Sequence, residues 1–429
     1  MKMNLKKRLV LELLNLFNLA NSQDPNTPCS RLTVRKEIRD VSPDEWNMIK
    51  RVVVRLQENG YIEKYARAHT DIFDYYHGGA FFLPYHRMLT RRFEQDGQQF
   101  DSNFFVPYWD AARDFSNPVS SILFTDDYIG RDGDPSRGDC VQAGFMKDMQ
   151  FSYPYNHCLK RKLNGPGSTI NSWYPPEVIT SMMQTSRNYE SLRNSLEYTL
   201  HGAVHLGLGG EMISKESPND FAFYLHHSNM DRIWWKWQNM DPKNLMDYGG
   251  SNPAGQPNGS LNDMMRGFDR RVGDVMRVGY GEMCYTYPDV VPLERIRSLF
   301  DTKNDTISSG SSVQKRTYGE ENVEKLRSLN IEALRSIFPK LLTNETNPNM
   351  FDLPPANSAL SRAACISSNS EDCSDEDGNT NKKMPLPFPP TEMFIKMHKL
   401  DRSVVMDTFE KYRKVVVQLN EAGYVSPYL

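Results

Sequence analysis

The sequence predicts a mainly helical protein, and three stretches carry that expectation. Ser42-Pro43-Asp44-Glu45 reads as a capping box with proline at the first helical position. Trp46, Ile49, Val53 and Leu56 follow at helical spacing, and Gly60 ends the segment. Residues 189–205 read as helical and are stopped by Gly207, Gly209 and Gly210. Ser217-Pro218-Asn219-Asp220 then starts a helix that runs to about residue 238.

The other elements follow in chain order. Residues 61–69 form a second helical stretch, and Phe82-Leu83-Pro84 opens a third, since proline is tolerated in a first turn. Residues 114–175 are turn-rich and irregular, and composition shifts near residue 290. Residues 308–312 are rich in serine and glycine, and a leucine-rich helical piece spans 323–342. Residues 367–383 are polar and acidic, a linker without apolar spacing. A proline-rich knuckle follows at 385–390, then one or two final helices over 392–423. The expected organisation is a leader at 1–22, a core domain at 23–290 and a C-terminal extension at 291–429.

Composition narrows the function. Lys+Arg at 51 against Asp+Glu at 54 gives a net charge of −3, which offers no reason to propose nucleic acid or an anionic membrane as partner. Mean hydropathy is −0.62 and no apolar stretch reaches 18 residues, so no membrane anchor is expected. The N-terminus joins Lys2, Lys6, Lys7 and Arg8 to an apolar run and then Ala20-Asn21-Ser22, the pattern of a secretory signal cleaved after Ser22. Secretion fits six scattered cysteines, of which Cys140–Cys158 and Cys365–Cys373 are the natural local pairs. It also fits glycosylation triplets at Asn258, Asn304 and Asn344. No CxxC occurs, which argues against a thiolate zinc site.

The nine histidines are unevenly placed. His201 and His205 stand four apart in a helical stretch, so both imidazoles share one face. His227 follows twenty-two residues later on the next helix, and two helices converging three imidazoles is how bundles build metal sites. His77 and His86 are nine apart, and the helix start at Pro84 lets His77 come from the preceding loop. A third upstream ligand can only be His69, the one other histidine in the first 76 residues. Imidazole suits zinc, copper, iron and nickel. Two all-histidine trios without a bridging carboxylate disfavour a di-iron site, a zinc trio would normally be mononuclear, and paired copper fits best. Arg87 and Asp231 flank ligand positions and are candidates to pair, holding two ligand helices in register.

These residues resemble the tyrosinases, which form the type 3 copper group with catechol oxidases and hemocyanins. His77-Gly-Gly-Ala-Phe-Phe-Leu-Pro-Tyr-His86-Arg87 is similar to the first copper motif of that family. His201-Gly-Ala-Val-His205, Ser217-Pro-Asn-Asp220, Phe223-Tyr-Leu-His226-His227 and Asp231-Arg232-Ile-Trp234 resemble the second. Val106-Pro-Tyr-Trp-Asp110 and Cys284-Tyr285-Thr-Tyr287 match two further family segments, and the likeness spans roughly residues 42–290.

The resemblance implies a four-helix bundle around a dinuclear copper centre with O2 as co-substrate. His69, His77 and His86 hold one copper in that reading; His201, His205 and His227 hold the other, and His226 is the non-ligand of the doublet. Phe223 packs against a ligand imidazole, and Glu197 orients a water and helps deprotonate a phenol. The implied activity is ortho-hydroxylation of monophenols and oxidation of o-diphenols to o-quinones. Its substrates are small phenols or tyrosine residues of proteins, with pigment formation or quinone tanning as the outcome. The alternatives are a catechol oxidase without monophenolase activity and a hemocyanin-like oxygen-binding protein. Four departures from the family pattern stand out: a short gap from His69 to His77, Phe221 where proline is usual, Gly202 where strong hydroxylases often have asparagine, and Tyr75 where some members carry a cross-linked cysteine. The arrangement is closer to soluble or secreted invertebrate members than to membrane-anchored ones. Family members are often blocked by a C-terminal segment; Leu386 or Phe388 in the knuckle is the candidate plug, and a knuckle packed on the core surface is the favoured alternative.

Overall fold

The computed structural model describes residues 24–253, 256–293, 329–343, 347–353 and 383–429, with positions 323, 326 and 327. The expected leader at 1–22, Asn304, Asn344, Cys365, Cys373 and the acidic linker up to residue 382 lie outside the described residues.

Among the described residues, ten helices longer than one turn organise the chain. Helix α1 (Pro43–Glu58) begins on the expected capping box: Glu45 N–H donates to Ser42 Oγ (3.3 Å) while the Glu45 carboxylate accepts from Ser42 N–H (2.8 Å). Its buried face includes Trp46, Ile49, Val53 and Leu56, and Gly60 turns the chain with φ of 74° into α2 (Tyr61–Asp71). One helical turn at Phe73–Tyr76 and a short loop lead to α3 (Phe82–Gln98), where Pro84 sits in the first turn and removes no ladder bond.

The region expected to be irregular holds two short antiparallel ladders, Gly133–Asp134 with Cys140–Val141 and Gln150–Phe151 with His157–Cys158. The Cys140–Cys158 disulfide ties them together. Helix α4 is Pro176–Thr185, and α5 (Tyr189–Leu196) runs through a π-turn at Glu197–His201 into α6 (Gly202–Leu208). A π-turn inside a helix shifts the side chains that follow it, and such turns gather at functional sites.

Helix α7 (Phe221–Gln238) is buried along its whole length, as expected of a helix without a consistent polar face. Asp220 caps it by accepting from Ala222 N–H (3.0 Å), while its carboxylate also takes a two-pronged contact from Arg161 (2.6 and 2.8 Å). Phe221, where the family pattern favours proline, uses the first helical position to bury its ring among Trp46, Phe93 and Phe145. Helices α2, α3, α5–α6 and α7 form the bundle; α3 packs along α7, and α2 packs on α3 and on the turn before α7.

Beyond the bundle, residues 285–286 pair in parallel with residues 33–34, and a Cys29–Cys284 disulfide closes this seam. That pairing joins residues 255 apart, so local spacing gave no sign of it. The leucine-rich piece contributes α8 (Ile331–Ile337) and a short 3₁₀ turn. The extension ends in α9 (Glu392–Met397) and α10 (Arg402–Glu421), the latter packed on α4, α5 and the π-turn. The fold is mainly α, and no described helix is long and apolar enough to cross a membrane.

Candidate metal centre

The bundle brings seven histidines into one buried cluster. His69 comes from the end of α2, His77 from the loop after the Phe73–Tyr76 turn, and His86 from α3. Their ligand-capable nitrogens lie within 4.8 Å of one another, and the rings are 5.1 to 5.6 Å apart. His201 and His205, one turn apart across the π-turn and α6, have rings 4.5 Å apart. All are almost fully buried.

Each of these five imidazoles is set by one main-chain carbonyl. Nδ1 of His69 donates to Lys215 O (2.7 Å), His77 to Phe73 O (3.0 Å), His86 to Phe82 O (2.7 Å), His201 to Glu197 O (3.2 Å) and His205 to Met212 O. A carbonyl accepts only from a protonated nitrogen, so each bond places the lone pair on Nε2 and aims it inward. Burial lowers all five from the usual histidine value, His69 to about 3 and His205 to about 4. The imidazoles are therefore neutral, the form a metal binds. Nε2 of His201 and His205 finds no hydrogen-bond partner, an orphaned pair of acceptors in an apolar interior.

The doublet on α7 supplies two further rings. His226 closes a tight trio with His201 and His205, at 5.6 and 5.4 Å. This departs from the expectation that makes His227 the ligand and His226 the bystander. His227 stands at similar ring distances, 5.2 Å from His201 and 5.7 Å from His205, and also stacks on His86 at 4.1 Å. Both its ring nitrogens are without partners. The reason for the ambiguity is helical: adjacent residues on a helix diverge by about 100°, and at a converging end both reach the same pair of rings.

The residues singled out around the histidines fall into place. Phe223, one turn before His227, lies 4.2 Å from its ring and 5.3 Å from that of His69. Arg87 and Asp231 form a wholly buried ion pair between α3 and α7. Arg87 also donates to Val275 O (3.1 Å), Met276 O (3.0 Å) and Gln238 Oε1 (3.0 Å). The second carboxylate oxygen of Asp231 accepts from the hydroxyls of Tyr285 (2.6 Å) and Tyr287 (2.7 Å), which explains why the Cys284-Tyr285-Thr-Tyr287 segment sits where it does.

Glu197 bridges the two halves of the centre. Its own carbonyl orients His201, and its carboxylate accepts from Gly78 N–H (2.7 Å), the residue after His77, and from Arg193 (3.1 Å). Burial raises its carboxyl to about 7, against the opposing effects of Arg193 and the Gly78 amide. Two protein donors leave lone pairs on the carboxylate for a further partner.

The C-terminal extension covers the centre, and the proline-rich knuckle packs on the core surface, the favoured reading of its sequence, rather than plugging the site. Leu386 and Phe388 lie on the surface, where Phe388 N–H donates to Ser172 O (3.0 Å). The segment over the histidines is α9 and its end. Phe394 stands above Gly202, where an added Cβ would come within 2.8 Å of its ring, and His398 is buried 5.1 Å from the ring of His77. Sequence reasoning missed both, because nothing in the spacing of residues 392–398 sets them apart from an ordinary short helix.

Two inward-facing sets of neutral imidazoles on a helical bundle, with no thiolate or bridging carboxylate beside them among the described residues, fit a dinuclear copper protein of the type 3 class. Residues 50–240 match the common central domain of tyrosinase. A tyrosinase of Aspergillus flavus, ustQ, is 31% identical over 312 residues, covering 65% of this chain and 86% of the relative. A tyrosinase of Streptomyces antibioticus is 28% identical over 245 residues, covering 52% and 89%. A solved polyphenol oxidase mutant from Thermothelomyces thermophila covers 66% of this chain and 95% of its own at 20% identity, with a TM-score of 0.49. The chain belongs to the tyrosinase family. It is a dicopper oxidoreductase of the tyrosinase and catechol oxidase type, acting on phenolic substrates.

Proposed function

We propose that the chain hydroxylates monophenols at the ortho position and oxidises o-diphenols to o-quinones, with His69, His77 and His86 holding one copper and His201, His205 and His227 the other. The copper pair, when bound, supplies the binding and activation of O2. The chain's own residues do the rest. The carbonyl-anchored imidazoles fix the ligand geometry before any ion arrives, which limits reorganisation on binding. Phe223 and Phe82 wall the centre and exclude water from the reacting atoms. Among the doublet, His227 is the member that touches both histidine sets, whereas His226 touches only the second.

The observation that carries hydroxylation beside simple catechol oxidation is Glu197. Its carboxylate is held between Gly78 and Arg193 at the joint of the two histidine sets, with acceptor capacity to spare. A monophenol would have to give up its only hydroxyl proton to react at a copper held here, and a placed carboxylate assists such a transfer by on the order of 10². Glu197→Gln keeps the size and the Gly78 contact. It is expected to lower turnover of tyrosine about 100-fold and turnover of a catechol far less, with copper content unchanged. Equal losses on both substrates would make Glu197 a structural brace and leave the catechol oxidase reading. Secretion of the chain, with Asn258 exposed for glycosylation, is part of the same proposal and is checked by the N-terminus and glycan content of the exported protein.

A further inference from the structure

His398 shares every local feature of the histidines below it. Its ring is buried, and its Nδ1 donates to the carbonyl four residues earlier, Phe394 O, at 3.0 Å. His77, His86 and His201 each make the same bond to the carbonyl four residues back. As in those three, the bond leaves the lone pair on Nε2.

Its position matches that chemistry. Rings within each tight trio stand 4.5 to 5.6 Å apart. His398 is 5.1 Å from His77, inside that range, and 6.2 Å from His201. Its nitrogen stands outside the tight trio of His69, His77 and His86, and of the three its ring contact is with His77. We propose that His398 is a displaceable fourth imidazole ligand of the metal held by His69, His77 and His86. A site that must bind a small molecule keeps one position open, and here the chain's own C-terminal segment fills it.

The surrounding contacts hold the ring there without locking it. Ile395 and Val405 cluster with Tyr198 at the edge of the core. Lys399 adopts a left-handed φ of 52°, closed by Leu400 N–H donating to Ile395 O (3.0 Å), and its ammonium reaches Asp74 (2.7 Å). Asp74 also pairs with Lys215 (2.9 Å), whose carbonyl anchors His69. The strap is thus pinned by one small apolar cluster, by the buried Phe394 ring over Gly202 and by an exposed, salt-screened charge pair.

This inference rests on the dicopper reading, and copper content separates the two. Wild-type full chain and His398→Phe, which keeps an aromatic ring of similar size but no donor, are loaded with copper and counted. Two ions per chain in both sustain the dicopper reading; fewer in wild type overturns that reading and the ligand assignment with it. Azide is then titrated into the oxidised forms, and X-ray absorption is measured on the reduced ones. A displaceable imidazole ligand predicts azide binding about tenfold tighter to His398→Phe, and one fewer nitrogen on half the copper. Equal azide affinity with unchanged absorption spectra shows that His398 only occupies space, and the proposal falls.

Discussion

Replacing His227 by alanine is expected to leave about one copper per chain in place of two and to abolish catechol oxidation, while His226→Ala retains both ions. A three-imidazole site that loses one donor loses the neutral, inward Nε2 that its geometry depends on, and even outer partners of such ligands cost 10- to 100-fold in affinity. The two-electron oxidation of a catechol would draw on both metals together, so the loss of one ion removes the reaction rather than halving it. The stacking of His227 on His86 at 4.1 Å and its contact with Phe223 place it between the two sets. The competing geometry is the tight His201, His205 and His226 trio. Copper quantified by atomic absorption in the two variants decides between them. Loss of one ion in His226→Ala with retention in His227→Ala transfers the ligand role to His226.

Asp231→Ala is expected to destabilise the fold by about 3–5 kcal/mol, the cost of leaving a buried charge without its partner. Arg87 is fully buried beside it, flat against the Trp234 ring at 3.6 Å, and loses its only paired carboxylate. Arg35, with Nη1 3.5 Å from Asp231, keeps its tighter contact with Glu94 (2.9 Å). The Tyr285 hydroxyl loses its acceptor and that of Tyr287 is left with Ser228 O (3.0 Å), which loosens the closing segment on the ligand helix. Several kcal/mol is a large part of the ~5–15 kcal/mol that holds a typical domain together. Thermal unfolding of the copper-free protein reads this directly; a melting temperature within one or two degrees of wild type would show that Arg87 finds compensation elsewhere. Asp231→Asn, which keeps shape and one acceptor, is expected to fall between.

The parts of this architecture written in local pattern were legible from residues alone. The capping box at Ser42, the helix start at Pro84 and the four-residue step from His201 to His205 each follow from rules that act within one or two turns. The Arg87–Asp231 pair was legible as two charges flanking ligands, although not as a pair closed by two tyrosines. What escaped was set by distant parts of the chain. The Cys29–Cys284 bridge joins segments that only the parallel seam at residues 33–34 and 285–286 brings together. The covering residues Phe394 and His398 depend on how α10 docks against α4 and α5, and a short helix carries no record of its docking partner. Gly202 shows the same limit: its lack of a side chain reads as a departure in the copper motif, while the structure gives it a steric reason in the ring of Phe394.

Oxidation of phenols by two copper ions on this bundle is tested most directly by turnover. Copper-loaded full-length chain, with two ions per chain verified, is offered L-tyrosine and a simple catechol separately while O2 uptake and quinone absorbance are followed. Quinone is expected from both substrates, with a lag on tyrosine while diphenol accumulates. Two bound coppers with no quinone from either substrate, before or after removal of the covering C-terminal segment, would contradict it.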